Sequence, residues 1–313
     1  MTSRATAIRL NVGLSLAVLA VAVTAHLVVP LVVLPYSGVA AAALLGVAVL
    51  LMPLHGALLH EAVHGRLLAG ERANRLIGRL LAVTGGVGFE IVRYGHLAHH
   101  RYNRHALDRP DVLEGDRPLA ARIGYYFGLL GGIYLVEVAS TLLSLLPRWV
   151  LIPRIGRLAA SGEASVVAVI DGMQRAVGDV RLDRARIDCL CMLALYGVAF
   201  WLYGTAWPLL LALIAARALI VSVLDNAPHY GTPLGTNAPV YNLRLPRWAA
   251  LLILNQNLHG THHRRPGIPW QALPGAFAAG DKGYDSAYAT AVLRQFRGPR
   301  PAAPAIVPAE VTA

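Results

Sequence analysis

The sequence predicts an all-α, polytopic membrane protein: about four transmembrane helices in two hairpins, interfacial or re-entrant helices, and a cytoplasmic cap carrying clustered histidines. Three observations predict it. The 313 residues are 56% hydrophobic and 14% charged, whereas soluble domains carry about 25% charge. No charged residue lies between Arg9 and Glu61, an interval far longer than the roughly 20 apolar residues that cross a bilayer. The arginines fall in segments flanking the apolar runs, as positive-inside orientation requires.

The charge-free interval holds two crossings, residues 10–33 and 38–60, separated at LPYSG (Leu34 to Gly38), where Pro and Gly favour a turn. Its basic start fits a signal peptide, but the apolar run is longer than a signal core and no A-x-A-like site ends it, so it reads as a retained span. An Arg-rich segment follows (Arg66, Arg72, Arg75, Arg79), then LIGRLLAVTGGVGFEIV, too interrupted for a crossing. Residues 123–147 form another apolar run, containing Glu137 and the pair Gly131-Gly132. An amphipathic, Arg-bearing stretch leads to Arg186. Residues 188–224 are long enough for two short spans turned at GTAWP (Gly204 to Pro208), and Arg217 in the second is expected to snorkel or face the protein interior. Residues 1–297 read as a single membrane domain and the Pro/Ala-rich residues 298–313 as a disordered tail.

Charge sets the orientation. The turns at 34–38 and 204–208 contain no Lys or Arg, whereas the segments after 60, from 148 to 186 and after 225 contain many. Both turns therefore face outward and the Arg-rich segments face the cytoplasm. A single crossing at 123–147 would put residues 148–186 outside, so that run is read as a re-entrant or interfacial helix pair. The expected location is a bacterial inner (cell) membrane with the histidine clusters on the cytoplasmic side. The net charge of +11 does not indicate nucleic acid, because no basic stripe with interleaved aromatics occurs; attraction to anionic lipid accounts for it. Cys189 and Cys191 form neither a zinc knuckle nor a disulfide framework and read as small core residues.

The 12 histidines are unevenly spread. HEAVH places His60 and His64 at i, i+4; HLAHH places His96, His99 and His100 at i, i+3, i+4; HGTHH repeats that spacing with His259, His262 and His263. Residues three and four apart share a helix face, so each box directs its imidazoles to one point. His26 and His55 lie inside predicted spans without such partners and read as hydrogen-bonded core residues. Buried imidazoles lacking partners are costly, and a metal supplies one. Their number exceeds the four ligands of one zinc site, which argues for two ions; imidazole suits Fe, Zn, Cu and Ni alike, so the element stays open.

The order H-x3-H, H-x2-H-H, H-x2-H-H around membrane hairpins resembles the three boxes of the integral-membrane fatty acid desaturase and hydroxylase superfamily. HHRYNRHALDRPD (His99 to Asp111) resembles the second box with its following Asn and Asp-Pro-Asp-like turn, and NLHGTHHRRPGIPWQALP (Asn257 to Pro274) the third. DNAPHYGTP (Asp225 to Pro233) is similar to the family's additional His segment. The resemblance covers roughly residues 40 to 275. It implies two iron ions held by His60, His64, His96, His99, His100, His229, His259, His262 and His263, with no catalytic residue separate from these ligands. Asn226 would make a water-mediated contact, and Asp225, Glu61 and Asn257, together with Asp108 and Asp111, would lie in the surrounding shell or serve as caps and turns. His105, five residues past the second box, is left out. Acyl-CoA desaturases have a longer first box, H-x4-H; the shorter one here fits acyl-lipid desaturases and carotenoid ketolases or hydroxylases better.

The resemblance further implies O2-dependent oxidation of an unactivated C–H bond of a lipid, with fatty acyl desaturation first and hydroxylation or ketolation of a lipid or carotenoid as the alternative. No haem-binding His-Pro-Gly-Gly and no Cys-rich iron–sulfur segment occurs, so the electron donor is expected to be a separate protein such as a ferredoxin. Two rivals remain. HEAVH also fits H-E-x-x-H, an intramembrane zinc protease with LDN supplying an Asp ligand, but six clustered histidines are then unexplained. A metal transporter would place ionisable groups at the midplane, whereas these boxes end spans.

Overall fold

The computed structural model describes residues 4–105, 108–113, 118–150, 182–234, 240–281 and 283–301. The core of the expected amphipathic stretch, 151–181, and residues 302–313 lie outside them. Helix α1 (Arg4–Val23) runs on as a π-helix, Thr24–Val33. Pro30 within that segment has no N–H and crowds the carbonyl four residues back, which favours the wider spacing. α2 (Gly38–Leu50), capped by Ser37 accepting from Ala40 N at 3.1 Å, meets α3 (Met52–Val63) at a 41° bend, with Pro53 in the first turn of α3. There follow α4 (Glu71–Thr84), α5 (Phe89–Tyr102), α6 (Pro118–Phe127), α7 (Ile133–Leu143), α8 (Leu182–Tyr203), α9 (Trp207–Asn226), α10 (Arg247–Leu252), α11 (His259–Arg264), α12 (Leu273–Gly280) and α13 (Tyr288–Gln295).

By length and composition Arg4–Val33, Pro118–Leu143 and Leu182–Asn226 can each cross a membrane, and the bent pair α2–α3 makes a fourth. Their outer faces expose large apolar side chains, among them Leu16, Leu31, Val47, Trp201 and Leu211, as lipid contact requires. Leu182–Asn226 is a hairpin. Gly204 at its turn has φ 49°, a left-handed conformation that glycine adopts without penalty. Tyr196 of α8 donates to Thr84 O at 3.2 Å, while Arg217 of α9 packs on the adjacent Gly85; in one straight helix these two would be about 30 Å apart.

The α6–α7 segment also doubles back. On the way in, Tyr125 and Leu129 pack with Tyr230 and Val223, and Tyr125 Oη donates to Gln295 O at 2.7 Å. At the kink (Gly128–Gly132) Gly131, φ 133°, sits against Ala218. On the way out, Tyr134 N meets Ser222 Oγ at 3.5 Å. Beyond α7, Ser144 O accepts from Arg186 Nε at 3.2 Å near the start of α8. Helix begins at Pro118, earlier than the expected 123.

The strands among the described residues are two-residue parallel pairings: β1 (Val112–Leu113) with β4 (Arg300–Pro301), and β2 (Leu243–Arg244) with β3 (Ser286–Ala287). Gly298 O accepts from Tyr230 Oη at 2.7 Å and Arg300 N donates to Asp111 O at 2.7 Å, so residues 298–301 pack on the body of the protein. Asn11 ties the first helix to the chain after the third box, giving a hydrogen bond to Leu67 O at 2.7 Å and accepting from Trp270 Nε1 and Gln271 Nε2 at 3.0 and 2.9 Å.

Candidate metal centre

Four elements bring the histidines together. The last turn of α3 and its C-cap carry His60 and His64, the last turns of α5 carry His96, His99 and His100, the turn after α9 carries His229, and α11 carries His259, His262 and His263. A helix as short as α11 cannot stand alone, and its surroundings fix it. Asn255, φ 58°, donates from its side chain to Trp270 O at 3.1 Å. Asn257 Nδ2 donates to Leu243 O at 2.8 Å, and Thr261 Oγ1 donates to Asp281 Oδ2 at 2.6 Å. Gly260 lets α11 lie directly on the preceding loop, because a Cβ there would sit 2.1 Å from Val240 O.

The nine imidazoles form two groups: His60, His64, His96, His100 and His262; and His99, His229, His259 and His263. In each, one nitrogen per ring lies within 4.8 Å of the others. In the first group His64 Nε2 is 2.9 Å from His96 Nε2 and 3.2 Å from His262 Nε2, and His100 Nε2 is 3.0 and 3.1 Å from those of His96 and His262. In the second, His99 Nε2 is 3.2 Å from His229 Nε2 and His263 Nε2 is 3.2 Å from His259 Nε2. Bonds of about 2.1 Å from a common ion would set adjacent ligand nitrogens about 3 Å apart, so the donor set fits a metal in each group.

Electrostatics agree. Burial, then the neighbouring imidazoles, holds His100 down to about 2 and His259 to about 3, and pushes His96, His229, His262 and His263 well below the ordinary histidine value. His64 falls to about 4 through burial and the charges of Arg66 and Arg93. These rings are neutral and carry free lone pairs. His99 is the exception: burial lowers it, but the hydrogen bond and charge of Asp108 outweigh burial and raise it.

Two residues orient rings. Asp108 Oδ2 accepts from His99 Nδ1 at 2.7 Å. Its loop is held by the buried Arg104–Asp111 ion pair, Arg104 N donating to Asp108 O at 3.2 Å and Asp111 Oδ2 accepting from Gly231 N at 2.7 Å. Gln256 Nε2 lies 3.0 Å from His60 Nδ1, while Gln256 Oε1 and His60 Nε2 are both buried without a partner. Rotating the amide, whose O and N are interchangeable in placement, lets His60 Nδ1–H donate to Oε1 and leaves Nε2 for the ion. The sequence offers no signal for Gln256 beyond its place just before the third box.

The other expected shell residues make the following direct contacts. Glu61 accepts from Trp270 N at 3.2 Å, Asn226 Nδ2 donates to Gln295 Oε1 at 2.7 Å, and Asn257 braces the backbone as above. Asp225 stands outside both imidazole groups but is near enough to favour the charged form of His99. His105 also stands outside both groups, as do His26 and His55, which bond to Ala22 O and Leu81 O at 2.7 Å each. With Glu61 on the Trp270 backbone and Asp225 outside both groups, the H-E-x-x-H protease arrangement has neither its base nor its third ligand in place.

A cavity of about 660 Å³ opens beside the groups. His60, His96, His99, His229 and His259 line one part of it beside Asp108, Asp225 and Gln256, and mostly apolar residues of α3, α6, α7 and α9 line the rest, with His55, Glu137 and Arg217 also in its wall.

The fatty acid desaturase family model matches residues 34–291. A beta-carotene ketolase of Paracoccus sp. (strain N81106 / MBIC 01143) is 27% identical over 228 residues, covering 71% of this chain and 73% of the relative. No solved structure matches significantly.

Proposed function

The chain belongs to the fatty acid desaturase family, and on that premise we propose that it is an O2-dependent di-iron oxidoreductase acting on an unactivated C–H bond of a long apolar lipid. The observation that carries this reading is the opening of two converging imidazole groups onto one largely apolar cavity. His60, His64, His96, His100 and His262 would hold one iron, and His99, His229, His259 and His263 the other. Iron bound there would supply the oxidising power, drawn from O2 and two external electrons.

The chain's own part is positioning and exclusion of water. Asp108 and Gln256 fix the rings of His99 and His60. The cavity walls of α3, α7 and α9 hold the lipid chain against the imidazoles. The α6–α7 segment is re-entrant, since it enters along α9, turns at Gly131 and returns; the hairpins and the Arg-rich segments then put the histidines on the cytoplasmic side of a bacterial inner membrane, where a separate donor such as a ferredoxin delivers electrons.

Fatty acyl desaturation is the first product reading. The likeness to a beta-carotene ketolase over most of both chains favours a second, oxygenation of a carotenoid. Expression in hosts with and without β-carotene, followed by mass spectrometry of lipids, decides. Loss of two mass units marks desaturation, gain of sixteen hydroxylation and gain of fourteen ketolation. Purified protein holding one zinc and no iron would sink the di-iron reading.

A further inference from the structure

Eight of the nine imidazoles belong to boxes with a second histidine three or four residues away, so helical geometry aims them. His229 stands alone, in the turn after α9. A turn has no repeating ladder to fix it, so its place depends on the partners its groups find. Residues 295–300, at and just beyond the end of α13, supply partners on both sides of it. Gln295 is fully buried: its Nε2 donates to Val223 O at 3.0 Å and its Oε1 accepts from Asn226 Nδ2 at 2.7 Å. Asn226 O in turn accepts from His229 N at 3.1 Å. On the other side of His229 in the chain, Tyr230 Oη donates to Gly298 O at 2.7 Å. A second arm reaches His99. Arg300 N donates to Asp111 O at 2.7 Å, Asp111 pairs with the buried Arg104, and Arg104 N donates at 3.2 Å to Asp108 O, whose carboxylate holds His99. Tyr125 and Tyr126 of α6 anchor the segment itself, donating to Gln295 O at 2.7 Å and to Phe296 O at 3.1 Å.

Both arms end in one imidazole group, since His99 and His229 share the four-histidine set. Among the described residues, no hydrogen bond of residues 295–300 reaches α3 or α11. The five-histidine group takes its support elsewhere. Asn74, also buried, donates to Ala62 O at 2.8 Å, between His60 and His64, and accepts from Leu68 N at 3.1 Å. The match to the family ends at residue 291, so residues 295–300 lie beyond the region it covers. Resting on the reading that both groups hold metal, we propose that residues 295–300 are a clamp for the four-histidine group alone, with Gln295 as its positioning residue. Seated, the segment sets the turn of His229 and the loop of Asp108 so that His229 and His99 face one another with Nε2 atoms 3.2 Å apart. The five-histidine group forms without it.

The test is metal affinity of the purified full-length chain, read by competition with graded chelators, using Fe2+ under argon and then Zn2+. It is run in two backgrounds: His262→Ala, which leaves the four-histidine group whole, and His263→Ala, which leaves the five-histidine group whole. Gln295→Met, close in volume and unable to make either bond, should weaken the metal about tenfold in the first background and leave it unchanged in the second. Gln295→Glu, which keeps an acceptor for Asn226, should fall between. Asn74→Leu should do the reverse, weakening the metal in the His263→Ala background and sparing it in the His262→Ala background. Equal losses in both backgrounds would make Gln295 an ordinary core residue and overturn the proposal, as would an unchanged affinity in the His262→Ala background. Zinc binding needs no redox chemistry, so a chain that shows the selective loss but oxidises no lipid keeps the clamp and removes the functional reading instead.

Discussion

Asp108 holds His99 from behind: its Oδ2 accepts from Nδ1 at 2.7 Å, while Nε2 of the same ring faces His229 at 3.2 Å. The bond fixes which nitrogen carries the proton and makes the other a stronger donor to a metal. Asp108→Ala should weaken metal binding in the four-histidine group by about 10- to 100-fold, with Asp108→Asn losing less because it keeps an acceptor. Competition with a graded series of chelators measures this. An unchanged affinity would remove Asp108 from that role.

The two groups should empty separately. His262 Nε2 lies 3.2 Å from His64 and 3.1 Å from His100, all in one group, whereas His263 Nε2 lies 3.2 Å from His259 in the other. We expect His262→Ala and His263→Ala each to fall from about two irons per chain to about one, and both to lose activity. His105→Ala, outside both groups, should keep both irons. Metal analysis of the purified proteins decides, and complete loss in either single variant would mean that the groups are one coupled site.

The spacing within each histidine box is legible in the sequence because helical geometry is local: i, i+3 and i, i+4 place rings on one face whatever surrounds them. The hairpin turned at Gly204 is legible for a similar reason, from apolar length and missing charge. Which rings join which group is not, because His99 and His100 are adjacent yet point into different groups, and long-range packing decides that. Gln256 is likewise invisible in a single sequence: its partner His60 is 196 residues away. The partners of Glu61 and Asn226, Trp270 and Gln295, are also not legible from their places beside the boxes, since buried polar groups take whichever partner the fold brings close. Nor can composition register the pairing of Arg300 with Val112.

Gly260 should tolerate no side chain. A Cβ there would stand 2.1 Å from Val240 O and 3.1 Å from Asn242 Nδ2, and the nearer atom is backbone, which cannot rotate away. Gly260→Ala should therefore displace α11 and its three histidines together, costing iron from both groups, whereas Gly275→Ala, where nothing lies within 4 Å, should keep both irons. Iron content and melting temperature of the two variants, compared side by side, test this; a Gly260→Ala protein with full iron would show that the loop at Val240 yields.

Acid should destabilise the metal-free protein more than the loaded one. His64, His259 and His100 are held to about 4, 3 and 2 when folded, against 6.5 for the free side chain, and His96, His229, His262 and His263 are lowered in the same way. The unfolded chain therefore binds more protons than the folded one as pH falls below about 6.5, and stability falls with pH in that window. His99 is raised when folded and works in the opposite sense, adding stability below 6.5 that is lost as pH rises through its folded value, but it is a single ring set against all of these. A tenfold loss of proton affinity on folding is worth about 1.4 kcal/mol at most for an independent ring. Rings this close titrate together, so their joint effect is smaller than independent ones would give. The melting temperature of chelator-treated protein should therefore drop by several degrees or more between pH 7 and pH 4. The iron-loaded protein should hold its value further into acid, because bound metal keeps the lone pairs from protons, and then lose iron and stability together. Parallel melting curves of the two forms across that range measure it; a metal-free protein with a flat profile would mean that the imidazoles are hydrated and open rather than buried against one another.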